Sequence, residues 1–229
     1  MIADQTTIHS RTKSRVDKLS VQYVSTFEGL FECLVSGGDA AILQRRFPPQ
    51  VKHWLDSISP SSLPTSRHVL KPYLVRRCVC EAFASAKPTN SPALKWLSDD
   101  IAKLANAISD FHHAELVRLR METIDDNACS KLHIDNVVAR LICSYRGPGT
   151  EMGFDSYEDT DLLAAPTGMP LLLKGSRWAG KAASRLRHRS PQIQSTGITR
   201  FVVVLEHITQ AEIMPGYDIA FTGGEQTID

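Results

Sequence analysis

A chain of 229 residues with 42% apolar and 22% charged side chains has enough apolar material for one core with a helical cap, which excludes a disordered or fibrous class. Its 26 basic and 25 acidic residues leave a formal charge of +1 without a basic face, so no nucleic-acid partner is expected. Met1 to Val16 lacks the apolar stretch of a signal peptide, and no run reaches the ~20 apolar residues of a membrane span. The expected setting is therefore the cytoplasm, with no membrane partner and the chain a monomer or homodimer. Five cysteines (Cys33, Cys78, Cys80, Cys129 and Cys143) are an odd number and read as reduced thiols, Cys78 and Cys80 lying in a helical-looking run from His68 to Ala86.

The first ten residues carry no periodicity, whereas Val16 to Leu34 has apolar residues at loosely helical spacing and stops at Ser36-Gly37-Gly38-Asp39. Ala40 to Leu43 reads as a short strand, and Pro48-Pro49 opens a helix towards Ile58, because a first turn tolerates proline. The clearest helix follows Ser91-Pro92. Serine caps it, and Leu94, Leu97, Ile101, Leu104, Ala105, Ile108 and Phe111 form one apolar stripe. After His112-His113 the period becomes alternating from Leu116 to Met121. Strand-like runs follow at Val137–Tyr145, Met169–Lys174, Ile198–His207 and Tyr217–Phe221, separated by turn signals such as Arg146-Gly147-Pro148-Gly149. The expected class is α+β, one domain over 1–229. A mainly helical N-terminal half (15–112) would pack on a C-terminal antiparallel barrel or jelly roll (113–223).

The chemistry concentrates in Leu132-His133-Ile134-Asp135-Asn136. A histidine two residues before a carboxylate is expected roughly once by chance in such a composition, and His113-Ala114-Glu115 is a second instance. Only the first pair opens a β-rich segment supplying another histidine, His188 in Arg187-His188-Arg189-Ser190-Pro191, and then a strand that begins with a cation, Arg200. Two histidines and one carboxylate on one face of an octahedron form the facial triad of non-haem Fe(II) sites, with positions left open for a cosubstrate and O2. A guanidinium leading the apolar run Phe201 to Leu205 lies in or beside the barrel and requires an anion. The distal carboxylate of 2-oxoglutarate would satisfy it with a bidentate pair. The bland alternatives are a surface turn for His133 and Asp135, and an ion pair with Glu206 or Asp161 for Arg200. Arg140 reads as a solvated or ion-paired strand residue, and Lys174 and Trp178 as lining the mouth or, for the tryptophan, as core. His112, His113 and Glu115 read as the end of a helix rather than a second site.

These residues resemble the pattern of the Fe(II)- and 2-oxoglutarate-dependent dioxygenases: HxD, a second histidine some tens of residues later, then a basic residue. More closely, Leu132–Glu151 (LHIDNVVARLICSYRGPGTE), Leu171–Trp178 (LLLKGSRW) and His188–Glu206 (HRSPQIQSTGITRFVVVLE) look like the bacterial family of domain of unknown function 1826. The superfamily resemblance implies a double-stranded β-helix. It also implies metal ligands at His133, Asp135 and His188, a cosubstrate anchor at Arg200, and Tyr145 as a second contact to the same carboxylate. The cofactors it implies are Fe(II), 2-oxoglutarate and O2, acting on a small-molecule or peptide substrate with hydroxylation as the default outcome. The acidic stretch Met152 to Asp161 departs from the closer family. Two other readings stand beside this one: a cupin-like metalloenzyme without 2-oxoglutarate, and a non-catalytic metal-binding or sensor protein.

Overall fold

A computed structural model describes residues 20–84, 91–154, 161–179 and 184–208; the expected strand Tyr217–Phe221 lies outside them. The large antiparallel core is built by four long-range neighbours. Strand β4 (Leu116–Ile124) and β5 (Ala139–Arg146) flank β10 (Arg200–Ile208) on either side, and β8 (Leu171–Lys174) pairs with β5. Three strands from the N-terminal half extend this sheet at its edges: β1 (Val21–Val24), β2 (Ala40–Leu43) and β3 (Ser66–Leu70). The order is β1-β2-β8-β5-β10-β4-β3. A smaller sheet, β7-β6-β9, is formed by β6 (Glu151–Gly153), β7 (Leu163–Ala164) and β9 (Arg187–Arg189).

The N-terminal half carries helices, but the expected confinement of the sheet to 113–223 is corrected, since the major sheet takes strands from both sides of residue 113. The run Val16 to Leu34 divides: β1 ends at Val24, and helix α1 (Phe27–Val35) starts where Thr26 Oγ1 accepts from Gly29 N at 3.0 Å. The run from His68 divides at Pro72, with β3 before it and helix α3 (Val75–Ala82) after a short 3-10 turn, because proline cannot continue the strand ladder. Helix α2 (Pro49–Ser57) starts at a proline, and α4 (Pro92–His112) starts where Ser91 Oγ accepts from Leu94 N at 3.0 Å. His113 ends α4 in the left-handed conformation (φ 50°).

Side-chain parity divides the interior into two cores. On the outer face of the major sheet, Val117, Leu119, Met121, Leu141, Cys143, Phe201, Val203 and Leu205 meet the α4 stripe of Leu94, Leu97, Ile101, Leu104, Ala105 and Ile108. Burying each such large side chain contributes about 1.5–3 kcal/mol. Between the sheets, Ile142, Leu171, Leu173, Val202 and Val204 meet Met152 and Leu163. The alternate residues Arg118, Arg120 and Glu122 on β4, Arg140 and Ser144 on β5, and Arg200 and Glu206 on β10 therefore share this inner face. No helix among the described residues is long and apolar enough to cross a membrane.

Candidate metal centre

His133 and His188 are held together by the backbone. Each donates its N–H to the other's carbonyl at 3.0 Å, which makes an isolated antiparallel bridge beside β9. In such a hydrogen-bonded pair both side chains leave the same face, and the two rings lie 4.5 Å apart between centroids. Asp135, two residues after His133, returns to that side, and its carbonyl accepts from Ser176 N at 2.9 Å. One ligand atom from each of the three residues falls within 4.8 Å of the others.

The protonation pattern suits a cation. His133 Nδ1 lies 2.8 Å from the Lys131 carbonyl, an acceptor that requires the proton on Nδ1 and leaves Nε2 with a lone pair. Asp135 Oδ1 is 3.6 Å from His133 Nε2, and Asp135 Oδ2 is 3.0 Å from His188 Nε2. The second approach is close, yet it is out of hydrogen-bond alignment, and Oδ2 is buried without a hydrogen-bond partner among the described residues. A buried carboxylate oxygen facing a ring nitrogen in this way is an expensive arrangement for the protein alone. It is also the arrangement a divalent metal relieves, so the three side chains fit Fe(II) or a similar ion.

Burial works to raise the pKa of Asp135, but its contacts with His133 and His188 and the charge of Arg140 outweigh this and hold it well below the usual carboxylate range. The two imidazoles diverge. Contact with Asp135 raises His133, whose side chain is 37% exposed, whereas burial lowers His188, which is 8% exposed. The deeper ring is thereby kept in the neutral form that binds metals.

Arg200 is 1% exposed and opens into the same cavity, a space of about 340 Å³ lined also by His133, His188, Arg140 and Thr150. Its Nε donates to the Pro148 carbonyl (2.8 Å), Nη1 to Ser190 Oγ (3.0 Å) and Nη2 to Ser144 Oγ (3.1 Å). Three of the five donors of a guanidinium are thus used, and one N–H on each Nη remains. No carboxylate pairs with it among the described residues. Glu206, one partner expected for it, is taken by Arg118 and Arg140, and Glu151 is taken by Arg189. Burial pushes Arg200 down to about 10, against the charges of Glu151 and Glu122. Gly147 lets the turn close over this arginine, since a Cβ there would meet Arg200 Cγ and the Thr199 carbonyl at 2.9 Å, and Gly149 lets the same turn pack on Ala165, whose carbonyl a Cβ would meet at 1.7 Å.

Tyr145 is not part of this site, which corrects the expectation of a second carboxylate contact. Tyr145 and Arg146 together oppose Phe201 at a β-bulge. In step with Leu141 and Cys143, the tyrosine faces the helices, where its hydroxyl donates to Asp100 Oδ2 at 2.6 Å and Asp100 pairs in turn with Arg45. Burial and the Asp100 charge push that phenol well above its ordinary value. Lys174 and Trp178 also lie elsewhere. The ammonium sits 5.4 Å from the indole centroid, and the indole stacks on Phe111. Asn136 Oδ1 accepts from Ser176 Oγ at 3.2 Å. His112 stacks on His207 with 3.6 Å between centroids, in a separate surface cavity with His113 and Glu115. Arg140 is the ion-paired strand residue expected as one of its two readings, but sequence reasoning missed that its Nη1 contacts the candidate ligand Asp135 Oδ1, and it missed Ser144 and Ser190. The signal for two of them was parity, because Arg140 and Ser144 alternate with the helix-facing residues of β5.

The model of the family described as "Protein of unknown function (DUF1826)" matches residues 24–206. No curated protein matches the chain. Among solved structures, a Pseudomonas putida prolyl-4-hydroxylase is similar at 11% identity and a TM-score of 0.42, with 79% of this chain and 97% of that one covered. The dioxygenase for auxin oxidation 1 from Arabidopsis thaliana, in binary complex with 2-oxoglutarate, is similar at 10% identity and a TM-score of 0.45, covering 82% of this chain and 91% of that one. Neurospora crassa T7H with alpha-KG and thymine is similar at 11% identity and a TM-score of 0.43, covering 86% and 89%.

Proposed function

We propose that this chain, which belongs to the family described as a protein of unknown function (DUF1826), is a non-haem Fe(II)- and 2-oxoglutarate-dependent oxygenase. The observation that carries the reading is the pairing of two features: a His133–Asp135–His188 cluster that fits a metal, and, in the cavity its two histidines line, a buried Arg200 with no carboxylate partner among the described residues. The path of the chain supports it. From β4 onward the segments pass between the sheets in the order large (β4), small (the His133 bridge), large (β5), small (β6, β7), large (β8), small (β9), large (β10). We read this path as a double-stranded β-helix, or jelly roll.

His133 and His188 would hold the metal through Nε2, and Asp135 through a carboxylate oxygen. Three protein ligands leave positions open, unlike a closed structural site. Arg200 would clamp the distal carboxylate of 2-oxoglutarate with its two remaining N–H groups, so that the keto-acid end is directed at the ligand cluster. Ser144, Ser190 and the Pro148 carbonyl hold the plane of that guanidinium before the cosubstrate arrives, and so reduce the ordering cost of binding. The apolar wall of Ile142, Val202 and Val204 would exclude water from the reacting atoms. Fe(II) would supply O2 activation coupled to decarboxylation of the keto acid, giving succinate, CO2 and a hydroxylated small molecule or peptide.

Sequential anaerobic titration tests the reading. The chain should bind one Fe(II) and then one 2-oxoglutarate. Asp135→Ala should lose both, because the cosubstrate needs the metal. A chain that binds 2-oxoglutarate equally well without metal, or not at all with it, would refute the assignment.

A further inference from the structure

Arg140 reaches the ligand cluster from β5, a strand paired on both sides. Its Nη1 contacts Asp135 Oδ1, and its Nε donates to Glu206 Oε1 at 2.6 Å. Glu206 Oε2 accepts from Arg118 Nη1 at 2.7 Å. Arg118 and Glu206 are directly opposed on β4 and β10, and Leu205 opposes Leu141 one step before Arg140. Asp135, Arg140, Glu206 and Arg118 thus form a row of alternating charge across three neighbouring strands. Their side chains are only 10%, 16%, 3% and 15% exposed. Such a row is costly unless every member is paired, and at its end Asp135 Oδ2 is buried without a hydrogen-bond partner among the described residues, 3.0 Å from His188 Nε2.

We propose that Arg140 is a positioning residue for the metal: by pinning Oδ1, it makes Asp135 bind through Oδ2 alone. This rests on the metal site proposed above and extends it. Asp135 lies between the His133 bridge and β5, outside any strand, so no ladder fixes its side chain. A free carboxylate can take two coordination positions on one ion. That would leave too few for a chelating keto acid and O2 on a six-coordinate metal already bearing two imidazoles. With Oδ1 held by a guanidinium that is itself anchored through Glu206 and Arg118, one oxygen remains and its direction is set by the sheet.

Two effects oppose each other when Arg140 is removed. Loss of a nearby positive charge favours a divalent cation, whereas loss of the pinned carboxylate disfavours it. Removing a hydrogen-bond partner of a metal ligand ordinarily weakens binding about 10- to 100-fold, so positioning should prevail. Co(II), an air-stable stand-in with visible d–d bands that report coordination number, is the probe. In Arg140→Ala, Co(II) affinity should fall by that factor and the bands should change. Millimolar guanidinium chloride, far below denaturing concentration, should restore both, whereas sodium chloride at equal ionic strength should not. Because the single variant leaves the buried Glu206 Oε1 without its partner, Arg118 holding only Oε2, Arg140→Ala with Glu206→Gln is measured in parallel and is read in its place if the single variant does not melt cooperatively. Unchanged or tighter Co(II) binding with wild-type bands in the folded variant overturns the proposal, as does a loss that guanidinium does not reverse. A wild-type chain that binds no Co(II) would overturn the metal site itself.

Discussion

Replacing Arg200 by alanine should separate cosubstrate binding from metal binding. The guanidinium is buried and keeps its charge at neutral pH, since its pKa stays near 10. Three N–H groups are committed to Pro148, Ser190 and Ser144, and the two that remain would make charge-assisted bonds worth about 1.5–3 kcal/mol each. Their sum is an upper bound, because alanine also removes the cost of an unpaired buried cation from the empty protein. The net loss expected for removing one partner of a buried charge pair is about 2–5 kcal/mol, which corresponds to roughly thirty-fold to several-thousand-fold weaker 2-oxoglutarate. Fe(II) affinity should stay within about twofold, since Arg200 touches none of the three proposed ligands. Calorimetric titration of 2-oxoglutarate into the anaerobic Fe(II)-loaded variant reads this directly. Wild-type 2-oxoglutarate affinity in Arg200→Ala would refute the anchor, and equal losses of metal and cosubstrate would indicate a collapsed cavity instead.

Three further outcomes follow from the same geometry. Tyr145→Phe should leave 2-oxoglutarate affinity unchanged and lower unfolding stability by about 1.5–3 kcal/mol, measured by denaturant titration, because a buried carboxylate loses a donor. Gly149→Ala should destabilise the fold by about 1–3 kcal/mol or more, since its Cβ would lie 1.7 Å from the Ala165 carbonyl, and a thermal melt should show it. His112 is held down to about 4 by burial and by the neighbouring His207, so between that value and the ordinary ~6.5 the unfolded chain binds the extra proton. Stability should therefore fall as pH drops from about 6.5 towards 4, and the melting temperature of His112→Asn should fall less steeply over the same range.

The part of the site legible in the sequence was the part fixed by local chemistry. His133 and Asp135 return to one side because they are two residues apart, and the strand beginning at Arg200 announces a buried cation by the apolar run behind it. The pairing of His133 with His188 across 55 positions depends on a two-residue bridge too short to show any alternation. Tyr145 shares the parity of the helix-facing Leu141 and Cys143 rather than that of Arg140 and Ser144, and its partner, Asp100, comes from a helix remote in sequence. Arg140 looked like an ordinary strand charge, since nothing local reveals that Glu206 and Asp135 converge on it. In the N-terminal half, β1 and β3 have only four and five residues and owe their extended form to edge pairing with β2 and β4. Spacing alone could not distinguish them from the helices beside them.

The visible spectrum of the anaerobic protein with Fe(II) and 2-oxoglutarate is the most direct measurement. A keto acid that chelates Fe(II) through its 1-carboxylate and 2-keto oxygens gives a weak charge-transfer band that neither component gives alone. The band should appear in the wild-type chain at one equivalent of each. It should be absent in Asp135→Ala and should require much higher 2-oxoglutarate in Arg200→Ala. A wild-type chain that binds Fe(II) yet shows no band at saturating 2-oxoglutarate would contradict the proposed oxygenase and leave a metal site that works without a keto acid.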